Sequence, residues 1–129
     1  MSTQVETMTV QEVANRLVQL CRDGKNADAI NELYDDNIVS LEPEGSPMEQ
    51  KTVGKEAVLG GTNYWFSTVE EIHSVHISEP IVAGNFFACG MNVDATYKEQ
   101  GRSVMDELCV FEVTDGKIVK SQFFYNTGK

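Results

Sequence analysis

Residues 103–125 read SVMDELCVFEVTDGKIVKSQFFY, and this stretch decides the fold. Two β-rich runs flank Asp115-Gly116, where the glycine supplies the positive φ that a tight turn with a bulge requires. Alternate side chains of a strand point to opposite faces. Met105, Glu107, Cys109, Phe111 and Val113 therefore share one face, and Asp106, Leu108, Val110 and Glu112 share the other. The first row is apolar except for Glu107. A carboxyl set in such a row marks it as the wall of a ligand cavity.

Working outward, the residues from Val69 onward are β-forming. Glu70–Ser78 predicts a strand, and Pro80 a bulge or an edge. Ile81–Ala83 leads through Gly84-Asn85, a two-residue hairpin turn, into Phe86–Tyr97. Lys98–Arg102 then turns into the hairpin already described. If Tyr97 pairs with Ser103, Asp94 and Asp106 face each other on the convex side, where like charges repel. Pairing with cations across a dimer interface, or plain solvation, would relieve them.

The N-terminal part is helical. Thr9 and Glu12 form a capping box, and Val10, Val13, Leu17, Leu20 and Cys21 recur at helical spacing up to Gly24. Asn26 predicts the cap of a second helix carrying Ile30, Leu33 and Tyr34 on one face, ended by Asp35-Asp36-Asn37. A strand over Ile38–Glu42 stops at Pro43, and 43–52 reads as a surface loop, either a lid or a connection. A third helix runs from Gly54 to about Phe66, with Ala57, Val58, Tyr64 and Trp65 turned inward. Gly60-Gly61 weakens it by about 1 kcal/mol per glycine, so either the helix breaks there or a neighbour approaches closely. The expected architecture is one α+β domain over 1–129, three N-terminal helices packed on one strongly curved, mainly antiparallel sheet that forms a cone with an internal pocket.

Composition narrows the function. Twenty acidic against ten basic residues give a formal charge of -10, which argues against a nucleic-acid backbone or an anionic membrane as partner, since both require clustered Lys or Arg. Cys21, Cys89 and Cys109 fall inside apolar patterns without paired spacing and read as buried free thiols of a reducing compartment. The opening MSTQVETMTV lacks the basic segment and apolar core of a secretory signal, so a cytoplasmic location is expected. No Cys/His/Asp spacing points to a metal site, and neither a phosphate loop nor a dinucleotide fingerprint is present, so no cofactor is expected.

YDDNIVSLEP at 34–43 after two helices, VGKEAV at 53–58 opening the third, and VFEVTDGKIVKSQFFY at 110–125 resemble, in order and spacing, the nuclear transport factor 2-like superfamily. Within it the resemblance is to the branch of SnoaL-like polyketide cyclases and ketosteroid isomerases. It implies a cone-shaped cavity between sheet and helices, and a homodimer through the outer sheet face. It implies no single chemistry. In ketosteroid isomerases a general-base Asp precedes a Pro at the end of the first strand, and Glu42 before Pro43 matches that place. The tyrosine and the protonated acid that bind the oxyanion in those enzymes correspond to Leu17 and Cys109, which disfavours steroid isomerisation. Glu107 lies one inward step from Cys109.

The catalytic candidates are Glu107, Glu42 and His73. A carboxyl facing an apolar cavity has its pKa raised toward the range useful for proton transfer near neutrality. The alternatives are a rim position in water for Glu42 and, for Glu107, a hydrogen bond from Ser121 or Tyr125. His73 shares parity with Val75 and Ile77, while His76 points the other way, so the two cannot chelate one metal; a surface position is the alternative for His73. The ligand-binding candidates are Tyr34, Trp65, Met91, Cys109, Phe123 and Tyr125, which otherwise read as core. The expected function is binding of an apolar, oxygen-bearing small molecule, with acid-base isomerase, cyclase or dehydratase chemistry. A non-catalytic binding or sensing module and a protein-interaction scaffold are the alternatives.

Overall fold

The computed structural model describes residues 7–127. The first six residues, part of the stretch without secretory-signal features, lie outside the described residues. Helix α1 (Val10–Arg22) starts on the expected box, with Glu12 N–H donating to Thr9 Oγ1 at 3.1 Å and Thr9 N–H to Glu12 Oε1 at 2.8 Å. It buries Val13, Ala14, Leu17, Val18, Leu20 and Cys21. Gly24, at φ 74°, turns the chain out of it.

Helix α2 (Asn26–Leu33) begins one residue earlier than the sequence predicts. Asn26 is its first helical residue, because Lys25 N–H bonds Leu20 O while Lys25 O accepts from Ala29 N–H. The helix also ends sooner. Tyr34, expected on its last turn, instead opens strand β1 (Tyr34–Leu41) and pairs with Ile118. Asp35, Asp36 and Asn37 occupy an irregularity between Tyr34 and Val39, where the Asp35 carboxylate caps Asn37 N–H at 2.9 Å.

The stretch expected to be all loop contributes a short strand β2 (Lys51–Val53), antiparallel to β1. Helix α3 (Lys55–Thr68) follows and runs unbroken through both glycines. At Gly61 a Cβ would meet the Met48 methyl at 3.5 Å, so the neighbour approaches and the helix does not break. Val58 packs on the core, and Ala57 and Trp65 turn inward to border the space beneath the helix, but Tyr64 is 64% exposed, contrary to expectation. No residue of α3 is fully buried, because it covers open space rather than a packed layer.

Strands β3 (Val69–Ile77), β4 (Ile81–Ala83), β5 (Phe86–Tyr97), β6 (Gly101–Thr114) and β7 (Lys117–Phe124) follow among the described residues. Ser78–Pro80 interrupts the edge, so β3 and β4 pair in turn with β5. The sheet order is β2-β1-β7-β6-β5-β3, with β1 and β7 parallel and every other pair antiparallel. This curled, open, mixed sheet with three helices on its concave side is the α+β cone expected.

The deciding hairpin forms with Asp115 at φ 50° and Gly116 at φ 75°. A Cβ at Gly116 would lie 2.7 Å from Thr7 Cγ2, so the position also demands the absence of a side chain. At the other end of β6 the turn is shorter than predicted. Tyr97 pairs with Gly101, placing Asp94 opposite Val104 and Asp106 opposite Asn92. The two acids do not face each other, and Asp94 instead holds Arg102 through two bonds of 3.0 and 2.9 Å. Under the helices the inward row of β5 and β6 forms the core, with Phe87 stacked on Phe111 at 4.7 Å.

Candidate functional site

Between the helices and the concave face lies a cavity of about 240 Å³. Alternation along β6 sends Met105 and Glu107 toward it, and the register sets Met91 of β5 beside Glu107. Apolar side chains from α1, α2, α3 and β3 close the other sides, among them Leu17, Ile30, Trp65 and Val75. Among the described residues that line it, the charged ones are Glu42, Glu49 and Glu107, and none is Lys, Arg or His.

Glu107 keeps part of its surface open to the cavity while protein crowds it elsewhere. Burial pushes its carboxyl up to about 7; the Cys109 thiol, donating to Oε1 at 3.3 Å, opposes the rise, and Glu42 adds to it. Neither partner foreseen for it, Ser121 or Tyr125, bonds it.

Glu42 lies just past β1, held by its N–H to Gln50 O at 2.9 Å. Its Oε1 accepts the Tyr125 hydroxyl at 2.6 Å, and Tyr125 Oη lies 2.6 Å from Ser46 Oγ. Since Tyr125 gives its one proton to Glu42, Ser46 must donate to Tyr125, and Ser46 in turn accepts Met48 N–H at 3.0 Å. A directed chain thus runs from the 43–50 loop, through the residue following β7, to the carboxylate. Burial raises the Glu42 carboxyl and the Tyr125 bond counteracts it. Burial and then the bond to Glu42 raise the Tyr125 phenol, which stays a donor.

Tyr34, Trp65, Met91, Phe123 and Tyr125 all border the cavity. Trp65 is set edge-on to Tyr97, with centroids 6.0 Å apart. Burial also raises the Tyr34 phenol, which lies beside Ser121 Oγ without completing a hydrogen bond to it.

Two candidates fall elsewhere. His73 does not reach the cavity, because the β3–β5 register shifts between Ile72 and Ser74 and reverses the parity on which it was chosen. Ile72 takes the inward place, and His73 Nε2 contacts Thr96 Oγ1 at 2.7 Å on the outside. Cys109 is fully buried and does not border the cavity; it sits beneath Glu107, directly across from Cys89. The neighbouring Cys89 thiol, and then burial, push the Cys109 thiol up, keeping it protonated.

The sequence missed Cys21, whose place on the helical face was assigned wholly to core, and the loop residue Ser46 that completes the hydrogen-bond chain. Cys21 borders the cavity, and burial pushes its thiol up to about 12. The one signal available for Ser46 was its place in a loop of the kind that carries function. Among the described residues no group of three or more His, Cys, Asp or Glu side chains could hold a metal ion.

The SnoaL-like domain model matches residues 8–125. A solved Mesorhizobium loti protein, put forward as a SnoaL-like polyketide cyclase, is 34% identical with a TM-score of 0.84, over 92% of this chain and all of that one. A protein from Jannaschia sp. CCS1 with the same proposed assignment is 14% identical, TM-score 0.73, over 98% and 92% of the two chains. A proposed isomerase from Bacillus subtilis is 23% identical, TM-score 0.68, over 92% and 90%. These last two show the fold alone. Comparison with curated proteins finds no match.

Proposed function

The chain belongs to the SnoaL-like domain family, and from that premise we propose that it takes an apolar, oxygen-bearing small molecule into the cone and moves a proton on it. The reaction class is isomerisation, cyclisation or dehydration without a cofactor. One observation carries this: two carboxyls in unlike surroundings face the same apolar cavity. Paired acids whose environments differ divide into a base and an acid. Glu42, raised by burial but held toward its ionised form by Tyr125, accepts a proton from the ligand; Glu107, largely desolvated, returns one at a second position. Trp65 orients the ligand's oxygen through its polar end, and the Tyr125 hydroxyl, which donates to Glu42, aims that carboxylate. Leu17 and Cys109, at the positions that match the oxyanion-binding pair of ketosteroid isomerases, offer no such donors to the cavity, so steroid isomerisation is disfavoured.

The closed chain Ser46–Tyr125–Glu42 also supports a second reading, a binding or sensing module without turnover, in which Glu42 only ties the loop down. Proton exchange at carbons beside the carbonyl, followed by NMR in D₂O over a panel of small ketones and hydroxyketones, separates the two. The enzyme reading expects exchange that Glu42→Gln and Glu107→Gln each reduce at least a hundredfold. Ligand-induced thermal stabilisation without exchange would leave the module.

Two further readings accompany this one. The outer sheet face exposes Phe86, Val104, Leu108 and Phe124, which suits a homodimer. Three free thiols, all buried, suit a reducing cytoplasm. No described helix is long and apolar enough to cross a membrane, and the excess of acids disfavours nucleic acid as a partner.

A further inference from the structure

We propose that the cavity sorts its occupants by charge, protonated amines first, neutral molecules next and carboxylates excluded, and that its natural ligand is a small apolar amine bearing an oxygen. This rests on the reading of the cavity as a small-molecule site and adds the charge of its occupant.

The lining is the first ground. Two carboxyls face the space, Glu49 stands among the other lining residues, and no Lys, Arg or His joins them among the described residues. Three cations are committed elsewhere. Arg22 donates to Ile77 O and Glu79, Lys55 to Asn31 O beside Asp36, and Arg102 to Asp94. Among the described residues neither Glu42 nor Glu107 has an ion-pair partner. Desolvated carboxyls without a counter-ion attract a cation brought by a ligand and repel an anion.

The walls are the second ground. Tyr34, Trp65, Phe66, Phe123 and Tyr125 present aromatic surface to the same space, and ring faces attract ammonium groups. At about 240 Å³ the cavity lies below the roughly 300–1,000 Å³ of drug-sized sites, so a one-ring molecule is its scale. A net charge of -10 draws cations toward the mouth.

Linkage supplies the third. The titratable groups facing Glu107 are Glu42 just past β1, Cys21 of α1, Cys89 and Tyr97 of β5, Cys109 of β6 and Tyr125 after β7. None is cationic. An amine that stays protonated pairs with ionised Glu107, whose carboxyl sits at about 7, so its binding strengthens about tenfold from pH 6 to pH 8. A neutral ligand shows no such gain.

The test compares 2-phenylethylamine, 2-phenylethanol and 3-phenylpropanoate by calorimetry at pH 6 and pH 8, on the wild type, Glu107→Gln and Asp106→Asn. Asp106 neighbours Glu107 in sequence but lies on the outer face, so its loss removes a charge without touching the cavity. Expected are the order amine, alcohol, carboxylate, at least tenfold per step at pH 8, loss of the amine's gain between pH 6 and pH 8 in Glu107→Gln, and an unchanged order in Asp106→Asn. A carboxylate bound as tightly as the alcohol overturns the inference, as does a pH-dependent amine gain that survives Glu107→Gln or an amine preference lost in Asp106→Asn. Binding of the alcohol alone defeats the charge ranking but leaves the cavity reading standing. If none of the three binds, the cavity reading fails and takes this one with it.

Discussion

Replacing Glu107 by Gln tests the electrostatics of the cavity without knowledge of any ligand. The glutamine keeps the volume and an acceptor oxygen for the Cys109 thiol, so the change removes only the ability to ionise. A carboxyl raised from 4.5 to about 7 is disfavoured in its charged form by about 3 kcal/mol. The sign follows from proton linkage. Below the ordinary value both folded and unfolded chains hold the proton, and Glu107 is neutral at no cost. As pH rises through 4.5 to about 7 the unfolded chain releases its proton first, so the native state loses stability, and above about 7 the penalty is complete. Glu107→Gln escapes it. Thermal unfolding followed by circular dichroism should give matching transitions at pH 4 and a variant more stable by about 3 kcal/mol at pH 8, or roughly 10 °C in a domain of this size. A difference between variant and wild type that stays flat from pH 4 to pH 8 would mean that Glu107 is solvated and would remove the basis for its assignment.

Two other outcomes are open to direct measurement. Tyr125→Phe deletes the hydroxyl that donates to Glu42 and accepts from Ser46. It should cost about 1.5–3 kcal/mol in urea unfolding at pH 8 and less at pH 4, because the lost bond favours the ionised carboxylate; equal losses at both pH values would refute the directed chain. Leu108→Glu places a charge in the exposed outer patch, where Leu108 pairs with Phe124. Light scattering should find a dimer for the wild type and a monomer for the variant, and an unchanged mass would sink the dimer reading.

The architecture was legible because its signals are local. The Thr9–Glu12 box, the Asp115-Gly116 turn and the alternation along β6 each specify their own neighbourhood, and Glu107 followed from that alternation alone. What escaped depends on register between segments distant in sequence. His73 was placed by counting in twos, and one irregularity between Ile72 and Ser74 reversed the count. Asp94 and Asp106 were set against each other by a turn assumed to be longer than the one that forms between Tyr97 and Gly101. Tyr34 looked helical because its phase matched Ile30 and Leu33, and pairing with Ile118, eighty-four positions away, pulled it into the sheet. Cys109 was read as a wall residue from correct parity, but parity gives direction and not depth. The hydrogen-bond chain to Glu42 joins a loop to the far end of β7, and no periodicity relates the two.

The parallel pairing of β1 with β7 has a consequence for biosynthesis. Strand β7 is the last of the strands in sequence order, yet it occupies the middle of the sheet and joins the β1–β2 edge to the β6–β5–β3 side. While the ribosome is still making the segments before Lys117, the emerging polypeptide consists of two unjoined halves, each with an open flank that could pair with another nascent molecule. Docking of β7 both closes that seam and delivers Tyr125 to Glu42, so the acid acquires its partner as those flanks are covered.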